Sequence, residues 1–449
     1  MQYADFLAAA AQVRPTARQL DWYRHPFYAF AHFGPNTFTG REWGDGTEDP
    51  AIFRPEALDC DEWVAAIKAA GMTGLVLTAK HHDGFCLWPS QHTEHSVKSS
   101  PWRGGKGDVV REAAEACCRG GIRFGFYLSP WDRHSPLYGT PAYNDYYKAQ
   151  LTELLTGYGP IFHVWFDGAC GEGPNGRRQE YDFPGYIALV RQYQPDATIF
   201  CDYGPDVRWI GNESGQSRAA EWAVVPSELC PLAPRQTEGP LLPGTLEGIG
   251  NTRRDIGGLD VIQYSRGLCF CPAEVDMSLR PGWFYHPEEE PHELSRLLKA
   301  YTASVGNNAA LHLNVPPMPN GRLNPRDIAR LRELGEALQA RYGHPLEGIT
   351  VRREGRGDSQ CVFCVTLPEK ARVHAIELRE DIAQGQRVAG FVLDTANDFS
   401  PRDEFYQGAT IGARKLCDLD EERELREFRI VITAARGPVD TLEINVHGE

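Results

Sequence analysis

A chain of 449 residues, 42% hydrophobic and 11% aromatic, is longer than one compact core usually serves, so two domains are expected. Its 46 basic and 61 acidic side chains leave a formal charge of −15, which repels a phosphate backbone and an anionic bilayer; neither nucleic acid nor a membrane is an expected partner. No apolar run reaches the roughly eighteen residues that span a bilayer, and the N-terminal MQYADFLAAAAQVRPTARQ lacks the basic flank of a signal peptide, so the expected compartment is the cytoplasm.

Read in chain order, the first three quarters alternate between helix-like and strand-like segments. Residues 59–70 (DCDEWVAAIKAA) open with acids, space Trp63, Val64 and Ile67 as a helix does, and stop at Gly71. TGLVLTA (73–79) follows as an apolar run without alternation, as a strand covered on both faces should read. Asp108 is placed to cap a helix through VVREAAEACCRGG, and IRFGFYL (122–128) is the next strand. A helix in YNDYYKAQLTELLTGYG, the strand IFHVWFD (161–167), a helix over 186–193 and the strand ATIFC (197–201) repeat the unit. Such repetition predicts a parallel sheet of the (β/α) TIM-like barrel type, with its polar groups after the strands: Lys80, His81 and His82; Ser129; Asp167; Asp202. A doubly wound open sheet would alternate likewise, but no G-x-G-x-x-G follows a strand.

From about 204 to 280 the chain is rich in Pro and Gly and reads as long loops, which in a compact domain usually serve a site. Helices return in HELSRLLKAYTASVG and PRDIARLRELGEALQARYG, around the strand-like ALHLNVP. After Gly343 the text changes to short runs between turn residues: ITVRREG, CVFCVTL, VHAIELRE, RVAGFVLDT, EFRIVITA and TLEINVHG. The expected layout is a catalytic barrel-like domain over 1–343 and an all-β domain, a β-sandwich, over 344–449. Twelve cysteines are scattered; Cys361 and Cys364 form a C-x-x-C, but on a strand they point to opposite faces and suit no single ion. Free, mostly buried thiols are the expectation.

Several side chains could carry chemistry. Asp167 ends a strand before a glycine-rich loop, where a carboxylate can act on a ligand or simply cap the loop. His81 and His82 follow another strand, and His32, Glu42 and Trp43 lie in AHFGPNTFTGREWG; aromatic faces pack on sugars while His and Glu bind hydroxyls. PDVRWIGNESG offers Arg208, Trp209 and Glu213, and a second carboxyl is needed if Asp167 is a nucleophile. Composition leaves Glu213, Glu42, Glu221 and Glu274 in competition. PWRGGKGD is no phosphate loop, because Gly rather than Ser or Thr follows the lysine, and no G-x-S-x-G supports serine-hydrolase chemistry.

In this order, FAHFGPNTF, EWG, KHHDGF, SSPWRGGKGDVV, GFYLSPWDRH, VWFDG, DVRWIGNESG and EVDMSLRPGWFYHPEE resemble the α-L-fucosidases of glycoside hydrolase family 29, over roughly residues 27–320. The resemblance implies a retaining exo-fucosidase in which Asp167, of WFDG, is the nucleophile of a double displacement. It also implies that His32, His81, His82, Glu42, Trp43 and Tyr127 contact the sugar, with Arg208 a further substrate-binding candidate, and that Trp283 packs near it. DVRWIGNESG resembles the branch that removes α-1,3- and α-1,4-linked fucose from branched, Lewis-type glycans, with Glu213 as acid/base. Such a pair keeps its carboxyls about 5–5.5 Å apart. No metal or organic cofactor is implied, and the expected partner is a fucosylated oligosaccharide or glycoconjugate. The alternatives are a broader fucosidase acting on simple or α-1,2 fucosides and an inactive fucose-binding protein. A separate carbohydrate-binding role for the C-terminal domain has little support, since no tryptophan follows Trp283.

Overall fold

The computed structural model describes residues 2–250, 255–356, 360–395 and 403–449. The strands before residue 320 are β1 (Phe27–Ala31), β2 (Gly74–Lys80), β3 (Arg123–Leu128), β4 (His163–Trp165), β5 (Thr198–Phe200), β6 (Arg208–Trp209), β7 (Val224–Pro226), β8 (Leu268–Phe270), β9 (Ala273–Ser278) and β10 (Ala310–Asn314). β7 and β8 pair only with each other among the described residues, antiparallel, and the other eight form one parallel sheet in the order β5-β4-β3-β2-β1-β10-β9-β6. A bridge between Phe200 and Val207 joins the two edges, so the sheet nearly closes into a barrel. The stretch from 204 to 280, read as loop, thus holds two barrel strands. β6 is only two residues long, and β9 (AEVDMS) carries three polar side chains, so neither presents the apolar run by which a buried strand is recognised.

The helices are α1 (Tyr3–Ala11), α2 (Ala17–Tyr23), α3 (Pro35–Thr39), α4 (Cys60–Ala69), α5 (Val109–Gly120), α6 (Pro141–Gly157), α7 (Phe183–Tyr193), α8 (Leu259–Ile262), α9 (Leu294–Ala303) and α10 (Pro325–Tyr342). Asp59 caps α4 by accepting from the Glu62 N–H at 3.0 Å, and Asp108 caps α5 through the Arg111 N–H at 2.9 Å. Losing such a cap costs about 1 kcal/mol. α5 turns Val109, Val110, Ala113, Ala116 and Cys117 to the barrel and stops at Gly121, whose φ of 69° favours glycine. Among the described residues no helix is long and apolar enough to cross a membrane.

Inward-facing side chains recur every second residue along each strand, so the barrel interior fills in layers. Deepest lie Tyr28, His163, Glu274 and His312. Above them are Phe30, Tyr127, Trp165 and Phe200, with Trp165 stacked on Phe200 at 3.9 Å between ring centres. The next inward positions, at or just past the strand ends, are His32, Ser129, Asp167, Asp202, Ser278 and Asn314.

The C-terminal region is antiparallel: β11 (Thr350–Arg356), β12 (Gln360–Arg379), β13 (Val388–Asp394), β14 (Glu404–Gly408), β15 (Lys415–Ala435) and β16 (Glu443–Gly448), in the order β11-β12-β15-β13-β14 with β16 beside β12. CVFCVTL and VHAIELRE, read as separate strands, are one long strand, β12. Its core-facing residues are odd-numbered up to Val373 (Phe363, Val365, Leu367) and even-numbered after it (Ile376, Leu378), because the register slips between Val373 and Ala375. A bulge exchanges the two faces of a strand, which hides its continuity from a period-two reading. Cys361 packs against this core and Cys364 lies on the other face.

Candidate active site

At the carboxyl ends of the barrel strands a cavity of about 170 Å³, the scale of one sugar ring, is lined by His32, Glu42, Trp43, His81, His82, Tyr127, Asp167, Glu213 and Trp283, joined by Phe30, Trp165, Ala169 and Asp276. A groove of about 560 Å³ at the other end, between Arg123, Tyr158 and Asp196, is larger but lies at the amino-terminal face, which in barrels of this kind serves stability.

Asp167 stands two residues beyond Trp165, so strand alternation aims it inward. Its Oδ2 accepts from the Tyr127 hydroxyl at 2.9 Å and its Oδ1 from the Ala169 N–H at 2.7 Å, which fixes the carboxylate in one orientation. Gly168 makes room for a second acid: a Cβ there would stand 2.1 Å from Asp202 Oδ2. Burial, reinforced by the Asp167 charge, pushes the Asp202 carboxyl up to about 6.

Glu213 enters from the opposite side, on the loop after β6. Gly211 and Gly215 flank it with φ of 99° and 78°, and Asn212 Oδ1 accepts from the Ser214 N–H at 3.0 Å, closing a tight turn with Glu213 at its tip. The Trp283 indole donates to Glu213 Oε2 at 3.2 Å. The Trp283 ring also sits 5.0 Å from that of His32, forming one wall. Both Glu42 oxygens are engaged by that wall, accepting from the Trp283 N–H at 2.8 Å and bonding His286 Nε2 at 2.7 Å. Trp43, 60% exposed, forms the rim, with its ring 5.8 Å from that of Trp131.

Three imidazoles line the floor. Burial pushes all of them down: His32 to about 3, His81 well below the usual range with help from the neighbouring histidines, and His82 downward against the opposing pull of Asp167. His82 Nε2 lies 3.9 Å from Asp167 Oδ2.

Arg208 does not reach this cavity. Its guanidinium is fully buried on the far side of β6, paired with Glu221 and donating to the Trp222 and Cys271 carbonyls. On a strand Arg208 and Trp209 face opposite ways, and it is Trp209 that approaches the site, donating to Asp276 Oδ1 at 2.9 Å. Glu221 and Glu274, rivals of Glu213 from composition, are likewise buried away from the cavity. Lys80 also points outward, to Asp132 at 3.1 Å.

Sequence reasoning missed Asp276, whose carboxyl is pushed well above the usual range by burial and then by the Glu213 charge. The period-two series Glu274, Asp276, Ser278 inside EVDMS was its signal.

A family model described as α-L-fucosidase matches residues 11–224. Alpha-L-fucosidase 1 of Arabidopsis thaliana is 39% identical over 94% of this chain and 85% of its own length. This chain belongs to the α-L-fucosidases of glycoside hydrolase family 29. Solved structures resemble the fucosidase over nearly its whole length. A putative α-L-fucosidase from Bacteroides ovatus is 38% identical with a TM-score of 0.87, covering 100% of this chain and 76% of that one. A Ruminococcus gnavus family 29 fucosidase, solved in complex with fucose, is 28% identical with a TM-score of 0.82, covering 97% and 95%. The fucosidase is therefore a hydrolase of fucosylated glycans, and the inactive-binder alternative falls away.

Proposed function

We propose that this fucosidase removes terminal α-1,3- or α-1,4-linked L-fucose from branched, Lewis-type glycans by double displacement, with Asp167 as nucleophile and Glu213 as acid/base. Asp167 attacks the anomeric carbon as the glycosidic bond breaks, and Glu213 gives its proton to the leaving oxygen. Glu213, now a carboxylate, takes a proton from water, which attacks the same carbon and releases Asp167. The observation that carries this reading is that, of the four carboxyl residues lining one sugar-sized cavity, Asp167 and Glu213 enter from different strand ends, while Glu42 is engaged by the Trp283 wall and Asp276 by Trp209. A carboxylate oriented by the Tyr127 and Ala169 donors suits a nucleophile. A carboxyl at the tip of an exposed turn suits exchange with water and with the leaving group. The linkage reading leans on the motif DVRWIGNESG and on an open rim beside Trp43, where a branched aglycone has room. The Ruminococcus gnavus relative was captured with fucose, the ligand assigned here to the cavity.

Fucose release from a Lewis-type trisaccharide and from an aryl fucoside tests the reading, with NMR of the first-formed anomer. The wild type should cleave both and give the α-anomer first. Asp167→Asn should lose at least about a thousandfold on both substrates. Glu213→Ala should lose far more on the trisaccharide than on the activated aryl fucoside, and azide should restore turnover as α-fucosyl azide. A β-anomer first would remove the double displacement, and cleavage of the aryl fucoside alone would remove the linkage assignment.

A further inference from the structure

Asn314 ends β10 fully buried behind His32. Its Oδ1 accepts from the His32 backbone N–H at 3.0 Å, and its Nδ2 donates to the Trp283 carbonyl at 2.7 Å and to Ser278 Oγ at 2.9 Å. A backbone N–H can only donate and a carbonyl can only accept, so the two ends of the amide are fixed without ambiguity. The same Oδ1 lies 2.9 Å from His32 Nδ1, and an oxygen there demands a proton on that nitrogen. Neutral His32 therefore carries its proton on Nδ1 and offers Nε2 to the cavity as a lone pair.

The same logic fixes His82. Ser129, also fully buried, donates its hydroxyl to the Trp131 carbonyl at 2.7 Å, an obligate acceptor. Its oxygen is left to accept from His82 Nδ1 at 2.7 Å. Neutral His82 thus also presents a bare Nε2, on the side facing Asp167.

We infer that Asn314 and Ser129 are positioning residues that lock His32 and His82 as hydrogen-bond acceptors, so that the glycone must supply a donor hydroxyl to each. The inference rests on the cavity above being the fucose site. Both rings must be neutral to accept, and their surroundings favour that form. His32, which faces His81, His82, His312 and the Tyr127 phenol, is held neutral by burial and then by the His312 and His82 charges, against the opposing Asn314 hydrogen bond. His82 faces His81, Arg133 and the opposing Asp167. Asn314 further ties His32 to Trp283, so two walls of the cavity share one anchor. An acceptor pair rejects a sugar whose hydroxyls are missing or capped, because each bare lone pair would then be buried without a partner.

Imidazole 15N NMR of the whole protein, without substrate, reads the tautomers directly, with signals assigned by their loss in His32→Gln and His82→Gln. Near neutral pH both rings should show a protonated Nδ1 and an unprotonated Nε2; a protonated Nε2 at either ring overturns the assignment for that ring. Because no turnover is involved, this outcome is independent of whether Asp167 and Glu213 act as proposed.

Asn314→Leu supplies the functional arm. It removes the acceptor from His32 Nδ1, so the His32 tautomers should mix and KM should rise with kcat less affected. A His32 spectrum unchanged from the wild type would reduce Asn314 to a structural residue and overturn its role. Ser129→Ala should mix the His82 tautomers and raise KM, with Ser129→Thr restoring both; an unchanged His82 spectrum in Ser129→Ala overturns the role of Ser129.

Discussion

Glu274 sits beneath the cavity with four donors on its two oxygens. Trp165 Nε1 at 2.7 Å and His312 Nδ1 at 3.1 Å meet Oε1, while the Tyr28 hydroxyl and His163 Nε2, at 3.1 Å, meet Oε2. Burial alone would push this carboxyl up, but the His312 and His163 imidazoles, by charge and hydrogen bond, hold it well below the usual range. Composition made it a rival for the acid role. The structure instead makes it the support of Trp165, which lines the sugar cavity. Glu274→Gln would turn an amide N–H₂ toward one of these donor pairs, and unsatisfied buried donors cost about 1–3 kcal/mol each. We expect the variant to be about 2–5 kcal/mol less stable in urea melts at pH 7. The sign with pH follows from the depressed carboxyl. Its contribution is fully present above the unfolded value near 4.5 and is lost as pH falls toward the folded one. The gap between wild type and variant should therefore close as melts are repeated below about pH 4; a gap constant from pH 3 to 7 would mean that Glu274 carries no linked charge.

At the scale of elements, the strand β3 carries Gly125 where the inward alternation would otherwise place a side chain among the deepest layer. A Cβ there would lie 2.4 Å from the His163 carbonyl oxygen, a backbone atom that cannot step aside without moving β4. Gly125→Ala should shift β4, and with it Asp167, lowering kcat/KM on an aryl fucoside at least tenfold in protein that remains folded by circular dichroism; wild-type turnover would mean that β4 yields without disturbing its end. Strands of this kind were legible where both faces are buried: TGLVLTA, IRFGFYL, IFHVWFD and ATIFC correspond to β2, β3, β4 and β5. Helix α5 was legible to its cap, because Asp108 announces it, and α4 to within a residue from the acids that open it. β6 and β9 were not: β6 is two residues long with a buried arginine on its outer side, and β9 spends its inward positions on Glu274 and Asp276, so both read as loop. The same cause explains Asp276, whose period-two series shows only once the strand around it is known; Asn314 lies in a strand that was legible, ALHLNVP, but nothing in that run marks its inward face. Arg208 failed for the complementary reason: sequence gives a residue's neighbours but not the side of a two-residue strand on which it falls.

The whole molecule is held together through the segment on which Arg208 acts. Arg208 and Arg218 both pair with the Glu221 carboxylate, and the Glu221 backbone carbonyl accepts from Asn308 Nδ2 at 3.0 Å, Gln386 Nε2 at 3.0 Å and Thr410 Oγ1 at 3.2 Å. Asn308 belongs to the barrel region, whereas Gln386 and Thr410 belong to the antiparallel sheet region, so one carbonyl joins the two. Gln386 Oε1 also accepts from the Ala223 N–H at 2.8 Å, and Arg436 lies over the Trp222 ring at 3.4 Å. From the other end of the chain, α1 and the residues after it bring Phe6, Ala10 and Val13 into one apolar cluster with Ala223, Val224 and Ile382. Polar groups buried this completely, 0% exposed at Gln386, are satisfied only when both regions are folded. The fucosidase should therefore unfold in a single calorimetric transition rather than as two independent domains. Gln386→Leu, of similar size, leaves the Ala223 N–H without its acceptor, which costs about 1–3 kcal/mol. It should lower that one transition as a unit, with fucosidase activity lost at the same temperature. Two resolved transitions, the lower one leaving activity intact, would mean that the barrel stands without its neighbour and that the Glu221 segment is a hinge between independent bodies rather than the seam of one.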